Sequence, residues 1–236
     1  MTSKEFKRTD GRKPNELRPM IAHVGVVPNA DGSALFAFGD TLAIAAVYGP
    51  RRLHPQHLQS PSSGILRCNY DLFSFSVADR KKPGPSRRSQ EISKVTEWAL
   101  EPIVDLGLFP NTVIDIQIYI LQADAGTRTA GINAASMALA HAGIPMRDLV
   151  CSVAVGKLDK DLVVDLTKEE EDFSEGEGAT DFAIAKLANS DEFSLLQLDG
   201  KIQPDAVKRI ISLASESSKE IYEIQKKALK EAVIQN

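Results

Sequence analysis

Residues 113–142 read VIDIQIYILQADAGTRTAGINAASMALAHA, which predicts a strand, a tight turn and a helix in direct succession. Over 113–121 isoleucines alternate with a mostly polar set of side chains, which is the period of a strand with one polar face. Over about 130–142 the residues are mainly small and apolar, and Gly143 closes the predicted helix. Because alanine and glycine let a helix pack closely against a sheet, the stretch predicts an α+β fold.

The chain before this stretch alternates as an antiparallel sheet does. Strands are predicted at 21–27, 34–38, 41–48 and 65–77, with a loop rich in proline, serine and histidine at 51–64. From Ser89 the apolar period changes to that of a helix, which Gly107 is expected to end.

The chain after this stretch predicts a second sheet and a long closing helix. Strands are expected at 151–158 and 162–166, joined as a hairpin, and again at 182–187 and 193–198. An amphipathic helix begins near Pro204-Asp205. Because the sequence contains no obvious interdomain linker, residues 1–236 are predicted to form a single domain. Its N-terminal half is about 1–147 and its C-terminal half is about 148–236.

The composition is that of an ordinary globular protein and excludes several classes. Hydrophobic residues make up 43% and charged residues 25% of the 236, and no apolar run is long enough to cross a membrane. The N-terminus is polar and basic, unlike a secretory signal. Cys68 and Cys151 lack the spacing of a zinc site, so a reducing, cytoplasmic location is expected.

Charge is segregated along the chain, although the net charge is −4. Residues 80–88, RKKPGPSRR, hold five positive charges, and residues 169–181, EEEDFSEGEGATD, hold seven negative ones. A solvated surface loop explains either run by itself. The basic run could equally contact a phosphate backbone.

The turn at 122–129 is a candidate anion site. A small-residue turn entering a helix presents free backbone N–H groups at the positive end of the helix dipole, and Thr127 or Thr129 can cap the helix or bind a phosphate oxygen. A cation such as Arg128 is placed there at a cost of roughly 0.3–1 kcal/mol unless an anion lies beside it. An ordinary capped helix with a surface arginine explains the turn equally well, and neither a P-loop nor a dinucleotide fingerprint is present.

Two further groups of residues are candidates for binding or catalysis. Arg87 and Arg88 start the preceding helix, where paired guanidinium groups suit bidentate contact with RNA phosphates. In the acidic loop, Asp172 and Asp181 could flank a Mg²⁺ ion or act as acid and base beside a phosphate. Composition does not choose between these roles, and a solvated hairpin remains the plain alternative.

Several motifs together resemble the RNase PH family over nearly the whole chain, and in particular its archaeal exosome branch rather than the bacterial tRNA-trimming enzyme. The motifs are DGRKPNELRP at 10–19, GDT at 39–41, VYGP at 47–50, RR at 87–88 and QADAGTR at 122–128.

The resemblance implies a fold and an assembly. The fold would be RNase PH-like, with pseudo-duplicated mixed sheets, helices packed on them and two βαβ-type halves. The chain would form a hexameric ring, a trimer of heterodimers with an inactive paralogous subunit, under an RNA-binding cap. Its activity would be 3′→5′ degradation of RNA with inorganic phosphate as co-substrate and Mg²⁺ as metal, reversible to add 3′ tails.

The resemblance also implies residue roles. Gly126, Thr127 and Arg128 would hold phosphate, Arg87 and Arg88 would bind RNA near its 3′ end, and Arg67 would guide the strand through a central channel. Asp181 would be one catalytic and metal-binding aspartate.

The sequence departs from the family pattern at two places. Ala125 replaces the first glycine of ADGGTR, and the acidic loop is longer than usual. The second acid is therefore Asp172 or Glu175, with Asp172 favoured because it follows a run of glutamates, as in the family's Glu-Asp. Two other functions stay open: a homohexameric enzyme that trims tRNA precursors, and a non-catalytic ring subunit that only binds RNA.

Overall fold

The computed structural model describes residue 8 and residues 10–158, 161–173 and 178–235. Within these residues the first sheet has five strands in the order β1-β2-β3-β5-β4. Its pairs are antiparallel except for β4 and β5, which run parallel. The strands are β1 (Met20–Val24), β2 (Gly32–Phe38), β3 (Thr41–Arg52), β4 (Ile65–Leu72) and β5 (Thr112–Gln122).

The second described sheet has four strands in the order β7-β6-β8-β9, and all of its pairs are antiparallel. The strands are β6 (Val150–Leu158), β7 (Asp161–Val164), β8 (Ala179–Leu187) and β9 (Phe193–Asp199).

The helices are α1 (Arg87–Leu100), α2 (Thr127–His141), α3 (Lys168–Glu171) and α4 (Pro204–Gln235). Short 3₁₀ turns lie at Gln56–Leu58, Glu101–Ile103 and Leu106–Leu108. Since α1 joins the parallel strands β4 and β5, these three elements form a βαβ unit.

Helix α2 is almost entirely buried, because it packs against strands of both sheets. Its small residues permit this approach: a Cβ added at Gly131 would lie 3.2 Å from Cγ2 of Ile118 on β5. One hydrophobic cluster joins the two halves and includes Ile116, Ile132, Val153 and Ile184. The predicted α+β fold with a helix packed on a sheet is therefore confirmed.

Several element boundaries differ from the prediction, and three of them bear on the site. Strand β4 ends at Leu72 rather than near 77, since Ser76 folds back to Phe73 in a turn. Helix α1 ends at Leu100 rather than near 107, because Pro102 has no N–H to continue the helical ladder. Strand β8 begins at Ala179 rather than at 182, because its first residues already pair with β6.

No helix of the described residues is both long and apolar enough to cross a membrane. Both cysteines are buried as free thiols.

Candidate active site

A cleft of about 990 Å³ opens between the two halves of the fold. Its walls are the starts of α1 and α2, the segment that contains α3, and the ends of β8 and β9 that lie next to each other. Its charged lining residues are Asp79, Arg88, Glu91, Arg128, Lys168, Glu171, Asp172, Asp181 and Asp199. The structure thus brings Arg88, Arg128, Asp172 and Asp181, which the sequence pointed to separately, into one cavity.

The turn before α2 has an unusual backbone. Ala125 and Gly126 both lie in the left-handed region, at φ 53° and 61°. Gly126 is the N-cap of α2 and offers no side-chain cap, while the hydroxyl of Thr129 donates to the Gly126 carbonyl at 2.8 Å. The prediction that Thr127 or Thr129 caps the helix is therefore wrong. Because no side chain caps them, the first N–H groups of α2 remain available to an anion.

Arg128 occupies the first turn of α2 and lines the cleft. Its Nε is buried and has no hydrogen-bond partner among the described residues. A buried donor without a partner costs free energy, and one on a charged group costs more. An anion bound at the start of α2 would remove this cost and would also offset the unfavourable placement of a cation there.

The start of α1 presents the arginine pair as predicted. Ser86 and Ser89 form a capping box, in which the Ser89 N–H donates to Ser86 Oγ at 3.1 Å and the Ser86 N–H donates to Ser89 Oγ at 2.7 Å. Arg87 and Arg88 are consequently the first two helical residues, and both are exposed. Arg88 lines the cleft, whereas Arg87 is not among its lining residues.

Asp181 lies in β8 rather than in the acidic loop where the sequence placed it, because both neighbouring strands pair with it there. Burial and the negative charges of Glu171 and Asp199 raise its pKa to about 6, although the nearby Arg128 and Arg88 lower it. Its Oδ1 is buried without a hydrogen-bond partner in the described structure. Asp181 is therefore a carboxyl group that can carry a proton close to neutral pH.

Asp172 follows the short helix α3 and lines the same cleft. Its side chain is 64% exposed and is paired with the Lys168 ammonium at 2.7 Å, so it lies in a wetter environment than Asp181. Glu175, the alternative second acid, lies outside the described residues. The choice of Asp172 stays a prediction.

Arg67 does not line the cleft. It lies on the edge strand β4, where Nε and Nη2 donate to the two carboxylate oxygens of Asp115 at 2.5 and 2.9 Å, and its side chain is 54% exposed. Leu72, which does line the cleft, is five residues further along β4, or about 16 Å at 3.3 Å per residue. A role for Arg67 would therefore concern RNA that extends beyond the cleft.

Sequence reasoning missed several lining residues, of which Asp199 is the most important. It lies directly opposite Asp181 across the β8–β9 pair. The sequence contained a signal for this: each aspartate adjoins one of two neighbouring predicted strands, and antiparallel pairing brings such ends together. Lys168, Glu171, Glu91 and Gln197 gave no comparable signal, because their positions depend on how α1, α3 and β9 pack.

The donor set around Asp181 suits Mg²⁺ bound together with a phosphate. Within the part of the chain that the structure describes, no group of three or more His, Cys, Asp or Glu side chains is arranged to hold a metal by itself. Mg²⁺ typically takes only one or two carboxylates and completes its shell with water and substrate phosphate oxygens. Asp172 and Asp181 provide two carboxylates in one cleft, and the unpartnered Oδ1 of Asp181 is a free acceptor.

One cleft contains an uncapped helix start with an arginine, a second arginine from α1 and a protonatable aspartate. This combination suits an enzyme that acts on a phosphate-bearing substrate. The chain belongs to the 3′ exoribonuclease family, also called RNase PH: the family model for domain 1 matches residues 16–145, and that for domain 2 matches residues 148–217. The family resemblance and the RNase PH-like fold predicted from the sequence are thereby confirmed.

Curated relatives match nearly the whole chain. It is 53% identical over 225 residues to "Exosome complex component Rrp41" of Thermococcus kodakarensis, a match that covers 95% of this chain and 89% of that protein. The protein of the same name from Archaeoglobus fulgidus is 49% identical over 222 residues, which cover 94% of this chain and 86% of the relative. Among solved structures, rice Rrp46 superposes with a TM-score of 0.83 over 94% of this chain and 100% of that chain, at 24% identity. That likeness concerns the fold alone.

Proposed function

We propose that this chain is the catalytic subunit of an archaeal exosome and degrades RNA from its 3′ end by phosphorolysis. The observation that carries the proposal is the juxtaposition in one cleft of the uncapped start of α2, the unpartnered Nε of Arg128 and the raised pKa of Asp181. The first two suit a bound phosphate, and the third suits a proton donor beside it. The family description, 3′ exoribonuclease, supplies the polymer, RNA, and the names of the relatives supply the assembly.

In the proposed reaction, an oxygen of inorganic phosphate attacks the last phosphorus atom of the RNA chain. The bond from that phosphorus to the preceding O3′ breaks, and the nucleotide leaves as a nucleoside 5′-diphosphate. The departing O3′ takes up one proton. The phosphodiester bond that breaks is replaced by the phosphoanhydride bond of the nucleoside diphosphate. Because the free energies of these two bonds nearly balance, the reaction can run backwards and add 3′ tails from nucleoside diphosphates.

The residues have separate parts in this scheme. The N–H groups after Gly126, the Thr127 hydroxyl and the Arg128 guanidinium hold the attacking phosphate, while Arg87 and Arg88 bind the RNA backbone near its 3′ end. Asp181 is the acid that protonates the departing O3′, since its proton is retained up to about pH 6.

In the alternative to this acid role, an ionised Asp181 would hold Mg²⁺ together with Asp172, and the proton on O3′ would come from another group. When bound there, the ion offsets negative charge on the phosphoryl group during transfer.

The proposed assembly is a hexameric ring with an inactive paralogous subunit, which carries an RNA-binding cap and acts in the cytoplasm. The name shared by the relatives, "Exosome complex component", supports a multi-subunit assembly, and the ring, the cap and the location follow from the family resemblance. Arg67 then guides RNA towards the cleft from outside it. A homohexamer that trims tRNA would share the chemistry but would need no partner.

The test is to purify the full chain with and without the paralogous subunit and to incubate it with a 3′-labelled RNA and Mg²⁺. We expect nucleoside diphosphates only when inorganic phosphate is present. Release of monophosphates without phosphate would refute phosphorolysis, and full activity of the chain alone would favour the homohexameric enzyme. RNA binding without any degradation in either state would make the chain a non-catalytic ring subunit.

A further inference from the structure

The DGRKPNELRP segment places Arg18 directly behind the turn that precedes α2. Arg18 is 5% exposed, and one edge of its guanidinium binds the Asp165 carboxylate: Nε donates to Oδ2 at 2.9 Å, and Nη2 donates to Oδ1 at 2.7 Å. Its backbone N–H also donates to Asp165 Oδ2, at 2.8 Å. This buried pair joins the N-terminal segment to the chain immediately after β7.

The remaining edge of Arg18 faces the turn itself. Nη1 donates to the Asp124 carbonyl oxygen at 2.6 Å and to Asp124 Oδ2 at 3.1 Å. A Cβ built on Gly126 would lie 3.3 Å from Nη2. Arg18 therefore lies against the two ends of the segment in which Ala125 and Gly126 adopt left-handed geometry.

Asp124 links Arg18 to the acidic wall of the cleft. Its other carboxylate oxygen, Oδ1, accepts from the backbone N–H of Lys168 at 2.9 Å, and Lys168 is the first residue of α3. Asp172 ends the same short helix. A continuous path of hydrogen bonds thus runs from Asp165 through Arg18 and Asp124 to the helix that bears the second candidate acid.

The backbone is strained at Asp165, where this path begins, and at Ala125, which follows Asp124. Asp165 has φ 56°, and Ala125 has φ 53°, a region that residues other than glycine seldom occupy. Strained positions persist only where the surroundings hold them in place, and they concentrate at functional sites. Arg18 is the residue that contacts both strained segments, since it bonds to Asp165 and to the residue before Ala125.

We propose that Arg18 is a positioning residue for the phosphate site: it holds the turn before α2 against the start of α3, so that Arg128 and Asp172 face the same phosphate. The proposal rests on the proposed function, because it assigns Arg18 to that site. Arg18 itself does not line the cleft, so it acts through the residues that do.

Arg8 offers a matched control, because it belongs to the same network without touching the turn. It is 3% exposed and grips Glu170 with Nε and Nη2, both at 2.8 Å, while donating to the carbonyl oxygens of Val164 and Asp165. Its chemistry and burial match those of Arg18. Loss of its fork should loosen the N-terminal segment, while the capping box between Thr167 and Glu170 keeps α3, and with it Asp124, in place.

The experiment compares Arg18→Lys and Arg8→Lys in the full chain, each assayed in the same assembly as the wild type. Lysine keeps the charge but lacks the planar fork that binds both Asp165 oxygens while Nη1 reaches Asp124. We expect both variants to lower the unfolding temperature, while only Arg18→Lys raises KM for phosphate, by about tenfold, with KM for RNA nearly unchanged. The stabilisation of the fold by added inorganic phosphate, measured by thermal unfolding, should fall in Arg18→Lys alone.

Asp124→Asn provides a second test if Arg18→Lys fails to fold. Its side chain is 30% exposed, so the fold should tolerate the change, and it weakens the link between Arg18 and Lys168. KM for phosphate should rise here too. Equal effects of Arg18→Lys and Arg8→Lys on KM for phosphate, or no effect of Asp124→Asn, would overturn the positioning role. A wild type without phosphate-dependent activity would instead refute the proposed function.

Discussion

Asp181 on β8 lies directly opposite Asp199 on β9, in a register that brings two acidic side chains onto the same cleft wall. Like charges opposed across a strand pair are unfavourable, so the arrangement favours a protonated form of one of them. Burial of Asp181 acts in the same direction, and its pKa is raised to about 6. The cleft therefore contains an acid whose protonation state changes close to physiological pH.

The rate of RNA degradation should follow the protonation of Asp181. As the acid for the departing O3′, Asp181 must carry its proton, so kcat for degradation should fall as pH rises above about 6. In the reverse reaction the ionised carboxylate takes a proton from the attacking O3′, so tailing should prefer a higher pH. Initial rates in both directions, measured across the same pH series, check this. Identical profiles would contradict the assigned role.

The stability of the metal-free protein should also depend on the protonation of Asp181. The folded pKa of Asp181, about 6, lies above its ordinary value of 3.8, so its contribution to stability is fully present below about pH 4 and is lost as pH rises through 6. Asp181→Asn removes this loss. Relative to wild type, the variant should gain up to ~3 kcal/mol of unfolding free energy between acid and neutral pH, at 1.36 kcal/mol per pKa unit.

Urea unfolding at several pH values measures this difference. Asp105→Asn, at an exposed position outside the cleft, is the control and should show no such pH-dependent gain. A constant difference between Asp181→Asn and wild type at every pH would show that Asp181 ionises normally.

Local pattern in the sequence predicted most of the elements, because strands and helices carry their own periods. The alternation at 113–121 and the small residues of 130–142 predicted β5 and most of α2, and the turn between them predicted the anion site. Helix α2 nevertheless begins at Thr127, before the predicted start, since Gly126 supplies the N-cap geometry without a side-chain cap. Residues close together in the sequence were thus sufficient to predict both the turn and the anion site within it.

What the sequence could not provide is the set of contacts that cross the fold. Arg18 and Asp165 are 147 positions apart, and nothing local to either residue indicates the other. Asp181 was placed in a loop because its neighbours are acidic and small, yet pairing with β6 and β9 outweighs that composition. The raised pKa of Asp181 follows from this burial and was equally invisible in the sequence.

Removal of the Arg128 side chain should abolish phosphate-dependent degradation. Arg128→Ala takes away the guanidinium that contributes positive charge at the start of α2, and the rate should fall by at least ~100-fold. Arg128→Lys keeps the positive charge but loses the forked geometry of the guanidinium, so its rate should fall less. Arg209→Ala, an exposed position on α4 outside the cleft, is the control. Ring assembly, followed by size-exclusion chromatography, should be unchanged, and full activity of Arg128→Ala would remove the phosphate site from α2.

A methyl group on Gly126 should harm both the fold and the site. Gly126→Ala adds a Cβ 3.3 Å from Arg18 Nη2 at φ 61°, so we expect a loss of about 1–2 kcal/mol of stability and weaker phosphate binding. Gly143→Ala is the matched control: it lies just beyond the other end of α2, at φ 71°, and its added Cβ would meet nothing within 4 Å. Both variants should lose stability in urea unfolding, but only Gly126→Ala should raise KM for phosphate. Equal phosphate affinities in the two variants would show that the shape of the turn is irrelevant to binding.

Arg67 should matter only for RNA that reaches beyond the cleft. Its ion pair with Asp115 is exposed and contributes little to stability, so the guanidinium is free to exchange Asp115 for an RNA phosphate. Arg67→Ala should raise KM severalfold for an RNA of about 20 nucleotides and hardly change it for one of about 4, which the cleft alone can hold. Arg51→Ala breaks another exposed pair of the same sheet, that with Asp31, and is the control for the loss of an exposed arginine as such. The length dependence also separates Arg67 from Arg88: a residue that binds the RNA inside the cleft should affect both lengths equally. An equal loss on the two RNAs in Arg67→Ala would therefore place Arg67 at the site of cleavage rather than along the path that leads to it.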